Sequence, residues 1–195
     1  MKAYVINGKM NAAIKEVDIP RPNEDEVLIR VAAAGVCGTD IHIYKGEYFS
    51  SYPLTPGHEF SGMVVETGGR VTQVKPGEIV TADPNIFCEK CYFCRQNLQN
   101  HCENFQATGV TRNGAFAEYV VVPESTVFPV KGVDPLHMAF IEPLACVVYG
   151  QERARPVLGQ HVLIFGAGAI GLLHLQLARH NGAASVTVVD INGER

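Results

Sequence analysis

Four of the chain's six cysteines fall within 15 positions, as Cys88-x2-Cys91-x2-Cys94-x7-Cys102. So crowded a run has few unstrained ways to pair with itself as disulfides, because a bridge demands a narrow range of Cα and Cβ separations. In a reducing compartment such a run reads as a metal site. Four thiolates at this spacing can wrap one tetrahedral zinc with every position filled by protein, which makes the ion a structural one. Any fold for this chain must close residues 88–102 around a single point. His101, next to the last of the four, is expected to be solvated or to stand beside the site, since no fifth ligand is needed.

On both sides of this lobe the chain reads as a globular protein. The 195 residues are 47% hydrophobic and 18% charged, with a net charge of −4. That is too apolar and too weakly charged for disorder. The 16 Lys and Arg do not exceed the 20 Asp and Glu, which argues against a nucleic-acid binder. No stretch approaches the roughly 18 apolar residues of a membrane span. The opening Met1-Lys-Ala-Tyr-Val-Ile-Asn-Gly is too soon broken for a secretory signal. A cytoplasmic protein with no membrane partner is the expectation.

The first 130 residues alternate short apolar runs with turns. Strands are predicted over Tyr4–Ile6 and Ala13–Val17, flanking a turn at Asn7-Gly8, and over Val27–Ala32. Further strands are predicted over Gly62–Glu66 and Glu78–Ala82, with a turn at Lys75-Pro76-Gly77, and over Phe116–Val122. Prolines at strand ends suit a barrel-like domain. From Pro135 to Arg155 the pattern is helical, interrupted near Pro143. His161–Phe165 and Ser185–Asp190 then read as buried strands on either side of a helix from Leu172 to Asn181, stopped by Gly182. The organisation is thus α/β: a β-rich domain over 1–150, then the first βαβ unit of a doubly wound domain over 151–195. One such unit cannot complete an open parallel sheet, so the chain is expected to be part of a longer enzyme.

Two further constellations carry chemistry. Cys37, His58 and Glu59 lie in Gly35-Val-Cys37-Gly-Thr39-Asp40-Ile-His42 and Gly57-His58-Glu59-x2-Gly62-x5-Gly68. They are ligand types that suit zinc, and three protein ligands leave a position open for an alcohol or water. Zinc there would lower the pKa of a bound alcohol. Spacing alone equally allows a buried cysteine, a core histidine and a solvated glutamate. The second constellation is Gly166-x-Gly168-x-x-Gly171, with Ala169 and Ile170 opening the helix and Asp190 lying 19 residues beyond the last glycine. It follows an apolar strand and ends at an acid closing the next strand, the context a dinucleotide fingerprint requires. The glycines admit a pyrophosphate against the helix N-terminus, and Asp190 would bond the ribose hydroxyls. That acid disfavours a 2′-phosphate, so NAD is expected over NADP. The bland alternative is a tight strand–helix turn without ligand.

Taken in order, the Gly57–Gly68 signature, the four-cysteine lobe and the nucleotide fingerprint resemble the zinc-dependent medium-chain alcohol dehydrogenase family over the whole chain. Cys37-Gly-Thr39-Asp40-Ile-His42-Ile-Tyr-Lys-Gly and Glu142-Pro-Leu-Ala look most like its polyol (sorbitol-like) and threonine dehydrogenase branches. The resemblance implies a GroES-like β-barrel domain followed by a Rossmann domain. It implies Cys37 and His58 as catalytic zinc ligands, with Glu59 a third ligand or one that exchanges with water. Glu142 lies where ethanol-type members carry a cysteine, and would bind zinc directly or through water. Thr39 and His42 match a proton relay running through the cofactor ribose, and Asp40 would orient His58. Members run on through the rest of the Rossmann sheet. Two zinc ions per chain, one catalytic and one structural, are implied, together with NAD, a small alcohol substrate and a homo-oligomer, dimer or tetramer.

The expected activity is hydride transfer from a secondary alcohol, a sugar alcohol by preference, to NAD. Alternatives are an L-threonine or vicinal-diol dehydrogenase, and a non-enzymatic protein of the same fold in which zinc is only a staple. A zinc-free quinone reductase is argued against by Cys37, His58 and Glu59. Cys146 is expected to be buried packing, and His174 and His180 to lie on a solvated helix face. His137 and His161 have no evident partner. Tyr44, Tyr48, Phe49 and Tyr52 could line a substrate pocket or simply pack in their loop.

Overall fold

The computed structural model of the protein describes residues 1–155 and 158–194. They form two compact units, Met1–Phe140 and a second beginning at Ile141. The first unit contains, in chain order, strands β1 (Lys2–Gly8), β2 (Asn11–Glu16) and β3 (Glu26–Gly35), helix α1 (Gly38–Lys45), and strands β4 (Glu59–Thr67), β5 (Ile79–Ala82) and β6 (Asn85–Ile86). It continues with the short helix α2 (Tyr92–Arg95), strands β7 (Gln106–Ala107), β8 (Tyr119–Pro123) and β9 (Val127–Pro129), and helix α3 (Pro135–Met138). The second unit contains α4 (Ile141–Ala154), β10 (His161–Phe165), α5 (Ala169–His180) and β11 (Ser185–Val189).

The frame of the first unit is an antiparallel sheet in the order β8-β3-β4-β5-β9. Its centre is dictated by sequence: Val27, Ile29, Phe60, Val64, Val80 and Val122 are all buried and in one cluster. Each such side chain contributes about 1.5–3 kcal/mol on removal from water. A smaller cluster of Ile6, Ile43, Leu54, Ala107 and Val110 fixes α1 and the β1–β2 hairpin (Tyr44 and Tyr52 pack against it). Tyr52 also donates its hydroxyl to the Ile43 carbonyl at 2.5 Å. Tyr48 and Phe49 instead stack on each other with ring centroids 4.8 Å apart, and both are exposed.

Several elements depart from the sequence expectation. The hairpin turn lies at Lys9-Met10, not at Asn7-Gly8: β1 runs through Gly8 with a bulge after Ile6, and Met10 takes a positive φ of 56°. The predicted strand from Phe116 begins only at Tyr119, because its first residues bond to β1, with Tyr4 N–H donating to the Phe116 carbonyl. The helical stretch breaks at Ala139-Phe140, so Pro143 lies in the first turn of α4, where its missing N–H leaves no bond unmade. Helix α1 carries no strong apolar period, so the sequence pattern does not announce it.

In the second unit β10 and β11 pair in parallel, in register from His161 with Ser185 to Phe165 with Val189, and α5 is the crossover. Neither strand is buried throughout, as their apolar composition had suggested. Burial alternates instead, leaving Leu163, Phe165 and Val189 exposed. Within the described residues the sheet has two strands and one face covered, so only alternate side chains find partners. Three side chains also differ from expectation. Cys146 is exposed, since the buried line of α4 is Pro143, Val147 and Gln151. His174 is half-buried against α4, where Gln151 Nε2 donates to its carbonyl at 2.8 Å. His161 finds Ser185 Oγ at 2.8 Å across the parallel pair. His180 is exposed, as expected.

Candidate functional site

The four-cysteine lobe is an excursion closed at its base by a two-stranded ladder, Asn85 opposite Ala107 and Ile86 opposite Gln106. Its sulfurs all lie within 4.8 Å of one another, and no cysteine is in a disulfide. A tetrahedron with Zn–S of about 2.3 Å has edges of about 3.8 Å, so the arrangement fits one zinc ion. Cys91 and Cys102 are buried, while Cys88 and Cys94 are half-buried. Glu89 takes a left-handed φ of 60°, which turns the chain inside the first Cys-x-x-Cys. The backbone N–H groups of Lys90 and Cys91 bond to the Cys88 sulfur and bring its pKa down to about 6. Burial and the neighbouring sulfurs push Cys94 up to about 12. Four thiolates so close together repel one another, and a divalent ion at their centre would compensate that charge. His101 is exposed beside the lobe, its ring 5.7 Å from that of Phe93.

The second cluster is built by three local devices. Cys37 is the residue preceding α1, and its N–H donates to Asp40 Oδ2 at 2.8 Å, a helix cap that fixes the loop. Glu59 is the first residue of β4 and His58 immediately precedes it. Gly57, just before them, has a φ of 97°, a left-handed conformation that favours glycine. It is packed so tightly that a Cβ on Gly114 would meet its carbonyl at 2.2 Å, and one on Gly109 at 2.6 Å. One ligand atom each from Cys37, His58 and Glu59 lie within 4.8 Å of one another.

Asp40 holds this cluster together. It is buried, its Oδ1 accepts from Gly57 N–H at 3.3 Å, and the same oxygen lies 3.6 Å from His58 Nδ1. That distance is beyond a hydrogen bond, and among the described residues the buried Nδ1 has no hydrogen-bond partner. Burial alone would lower the His58 pKa, but the Asp40 carboxylate and Cys37 reverse this and raise it to about 9. Surroundings that hold a proton so firmly on an imidazole would also favour a metal cation there. A sulfur, an imidazole and a carboxylate are a donor set that zinc accepts, with a coordination position to spare.

Thr39 and His42 stand on α1. Thr39 Oγ1 is 3.7 Å from Cys37 Sγ. The exposed His42 contacts Glu47, Nδ1 to Oε2, at 2.9 Å, and the His42 bond helps hold Glu47 below the usual carboxylate range. Sequence reasoning did not single out Glu47, which no motif marks. Glu142 belongs to the second unit, in the first turn of α4, where Cys146 Sγ is 3.9 Å from its Oε1.

In that unit the fingerprint loop has the shape its glycines anticipate. Gly166 has a φ of 106°. A Cβ on Gly171 would lie 1.8 Å from the Gly166 carbonyl, so the helix packs directly on the loop. Gly168 precedes α5, and Ala169 and Ile170 form its first turn. Asp190 accepts from Ala167 N–H and from Asn192 N–H, each at 2.8 Å, one to each carboxylate oxygen.

A β-rich unit with a four-sulfur lobe and a Cys-His-Glu cluster, followed by a strand–glycine loop–helix–strand unit, defines a class. Residues 23–132 match the alcohol dehydrogenase GroES-like domain, and the chain belongs to that family. It is 42% identical over 193 residues to D-arabinitol dehydrogenase 1 of Uromyces fabae, covering 99% of this chain and 55% of the relative. It is 41% identical over 182 residues to L-threonine 3-dehydrogenase of Pyrococcus abyssi, covering 91% of this chain and 52% of the relative. Among solved structures, a candidate zinc-binding dehydrogenase of Sinorhizobium meliloti 1021, bound to NADP, superposes with a TM-score of 0.95 at 43% identity, covering 99% of this chain and 57% of the other. The chain thus spans about half the length of the relatives it matches. No helix among the described residues is long and apolar enough to cross a membrane.

Proposed function

We propose that this chain serves a zinc-dependent dehydrogenase that transfers a hydride from a secondary alcohol, a sugar alcohol by preference, to NAD. The observation that carries the reading is the meeting of Cys37, His58 and Glu59 donor atoms within 4.8 Å, in a chain that also carries a dinucleotide-type loop. Cys37, His58 and Glu59 would hold the catalytic zinc. Cys88, Cys91, Cys94 and Cys102 would hold a second, structural zinc. Bound zinc supplies Lewis acidity that lowers the pKa of a hydroxyl in its open position.

The protein's own groups do the rest. Asp40, whose Oδ1 lies 3.6 Å from His58 Nδ1, would orient the imidazole and favour a cation bound beside it. Thr39 places a hydroxyl beside the metal donors, suited to receive the alcohol proton. His42, with Nδ1 facing Glu47, keeps its other ring nitrogen for carrying that proton away. Asp190 would accept bonds from ribose hydroxyls and repel a 2′-phosphate, which supports NAD; the NADP-bound relative makes this a point for direct measurement. A cytoplasmic homo-oligomer acting on a small alcohol completes the reading.

The relative acting on D-arabinitol supports a polyol, while the threonine dehydrogenases support an amino-acid alcohol. The test is turnover by the full-length protein with NAD over a panel of polyols, vicinal diols and L-threonine. Reduction of NAD by a polyol is expected. Turnover on threonine with silence across polyols would replace the first substrate reading by the second. Silence on all, with one metal per chain, would favour a zinc-stapled, non-enzymatic protein.

A further inference from the structure

Gly35 ends β3 directly opposite Glu59 at the start of β4. Side chains of opposed residues in an antiparallel pair stand on the same face, with Cβ atoms usually about 4.5–5.5 Å apart. Here a Cβ built on Gly35 would lie 3.2 Å from Glu59 Cβ and 2.3 Å from Glu59 Oε2. The Glu59 side chain therefore occupies the space that any other residue at 35 would fill. Nothing in the backbone of Gly35 demands glycine, since its φ lies outside the left-handed range in which Gly57 and Gly109 sit. The three atoms nearest to a Cβ at 35 all belong to the Glu59 side chain.

The same carboxylate belongs to the Cys37–His58–Glu59 cluster. Cys37 is anchored by Asp40 through the α1 cap, and His58 faces the same Asp40, whereas Glu59 depends on the path over Gly35. We propose that Gly35 is a positioning residue for the metal centre: its missing side chain is the channel through which the Glu59 carboxylate reaches the Cys37 and His58 donors. Gly35 acts only through Glu59 and touches no substrate. The inference rests on the metal reading of that cluster.

The test is metal binding by the full chain. Zinc content is measured by mass spectrometry, affinity by competition with a chromophoric chelator, and the open site by the visible bands of cobalt substituted for zinc. Gly35→Ala is expected to weaken the Cys37–His58–Glu59 site about 10- to 100-fold, the usual effect of losing a group that positions a ligand, and to alter its cobalt bands. The four-cysteine lobe should keep its metal. Added to Glu59→Gly, which removes every Glu59 side-chain atom that a Cβ at 35 would meet, the Gly35 substitution should change affinity less than about twofold. Unchanged affinity in Gly35→Ala, or an equal loss with and without Glu59, would overturn the inference and leave the metal reading intact. Loss of the lobe metal as well, in both the single and double variants, would show that Gly35 serves the fold and would equally overturn it. If the unsubstituted chain binds one metal and Cys37→Ala still binds one, the metal reading itself fails.

Discussion

At the scale of single residues, charge and donor chemistry decide what each group can do. Cys37 contributes the sulfur of the Cys37–His58–Glu59 cluster and is not among the four cysteines of the lobe. Cys37→Ala should remove one metal per chain, leave the lobe metal in place, and lower turnover of the full-length protein at least about 10³-fold, equivalent to ~4 kcal/mol of transition-state stabilisation. Asp190→Ser should weaken NAD about tenfold and narrow the preference over NADP, checked by fluorescence titration of both cofactors. Glu26 makes a cleaner statement about stability. Burial would raise its pKa, but the Arg112 bond at 2.5 Å, the Asn23 bonds and the Arg112 charge together hold it below the ordinary 4.5. A depressed carboxylate pKa contributes stability that is present above about 4.5 and lost as pH falls through the folded value. Glu26→Gln should cost about 1–3 kcal/mol at neutral pH and flatten the acid limb of a urea-melt series, and an unchanged acid limb would refute this assignment.

At the scale of elements, the decisive feature is how closely backbone approaches backbone beneath the His58 segment. Gly109 and Gly114 both press on the Gly57 carbonyl, and Gly109 has a φ of 79°. Gly114→Ala should destabilise the first unit by about 1–3 kcal/mol through overpacking, and Gly109→Ala by somewhat more because its backbone is also strained. Denaturant melts read both. Much at this scale was legible in sequence: strand runs such as Val27–Ile29, the Lys75-Pro76-Gly77 turn and the βαβ rhythm declare themselves by period and punctuation. What escaped had physical reasons. Helix α1 is held by its Asp40 cap and by Ile43 in the core, so no amphipathic stripe announces it. The Lys9-Met10 turn arises from a bulge that local propensity does not encode. The exposure of Cys146 follows from which face of α4 packs, and composition gives no phase. Of the candidate sites, the residue types and spacings could be read directly. The Gly35–Glu59 contact could not, because it exists only once two strands are in register.

At the scale of the whole molecule, a β-rich unit carries two clusters of metal-ligating side chains and a second unit carries a glycine loop. The lobe closes 15 residues around one point with little apolar core of its own, so zinc there would be part of its folding free energy. A strong chelator should unfold residues 88–102, seen as loss of hydrogen-exchange protection in that segment, while the five-stranded sheet with its buried Val and Ile core stays protected. The central claim is that this chain holds two metals of different kinds, and diffraction data collected across the zinc absorption edge on metal-replete crystals test it most directly. The account predicts two anomalous peaks per chain, one enclosed by Cys88, Cys91, Cys94 and Cys102, the other touching Cys37 and His58 with a coordination position open to solvent. A single peak at the lobe, with Cys37 and His58 bare, would contradict it.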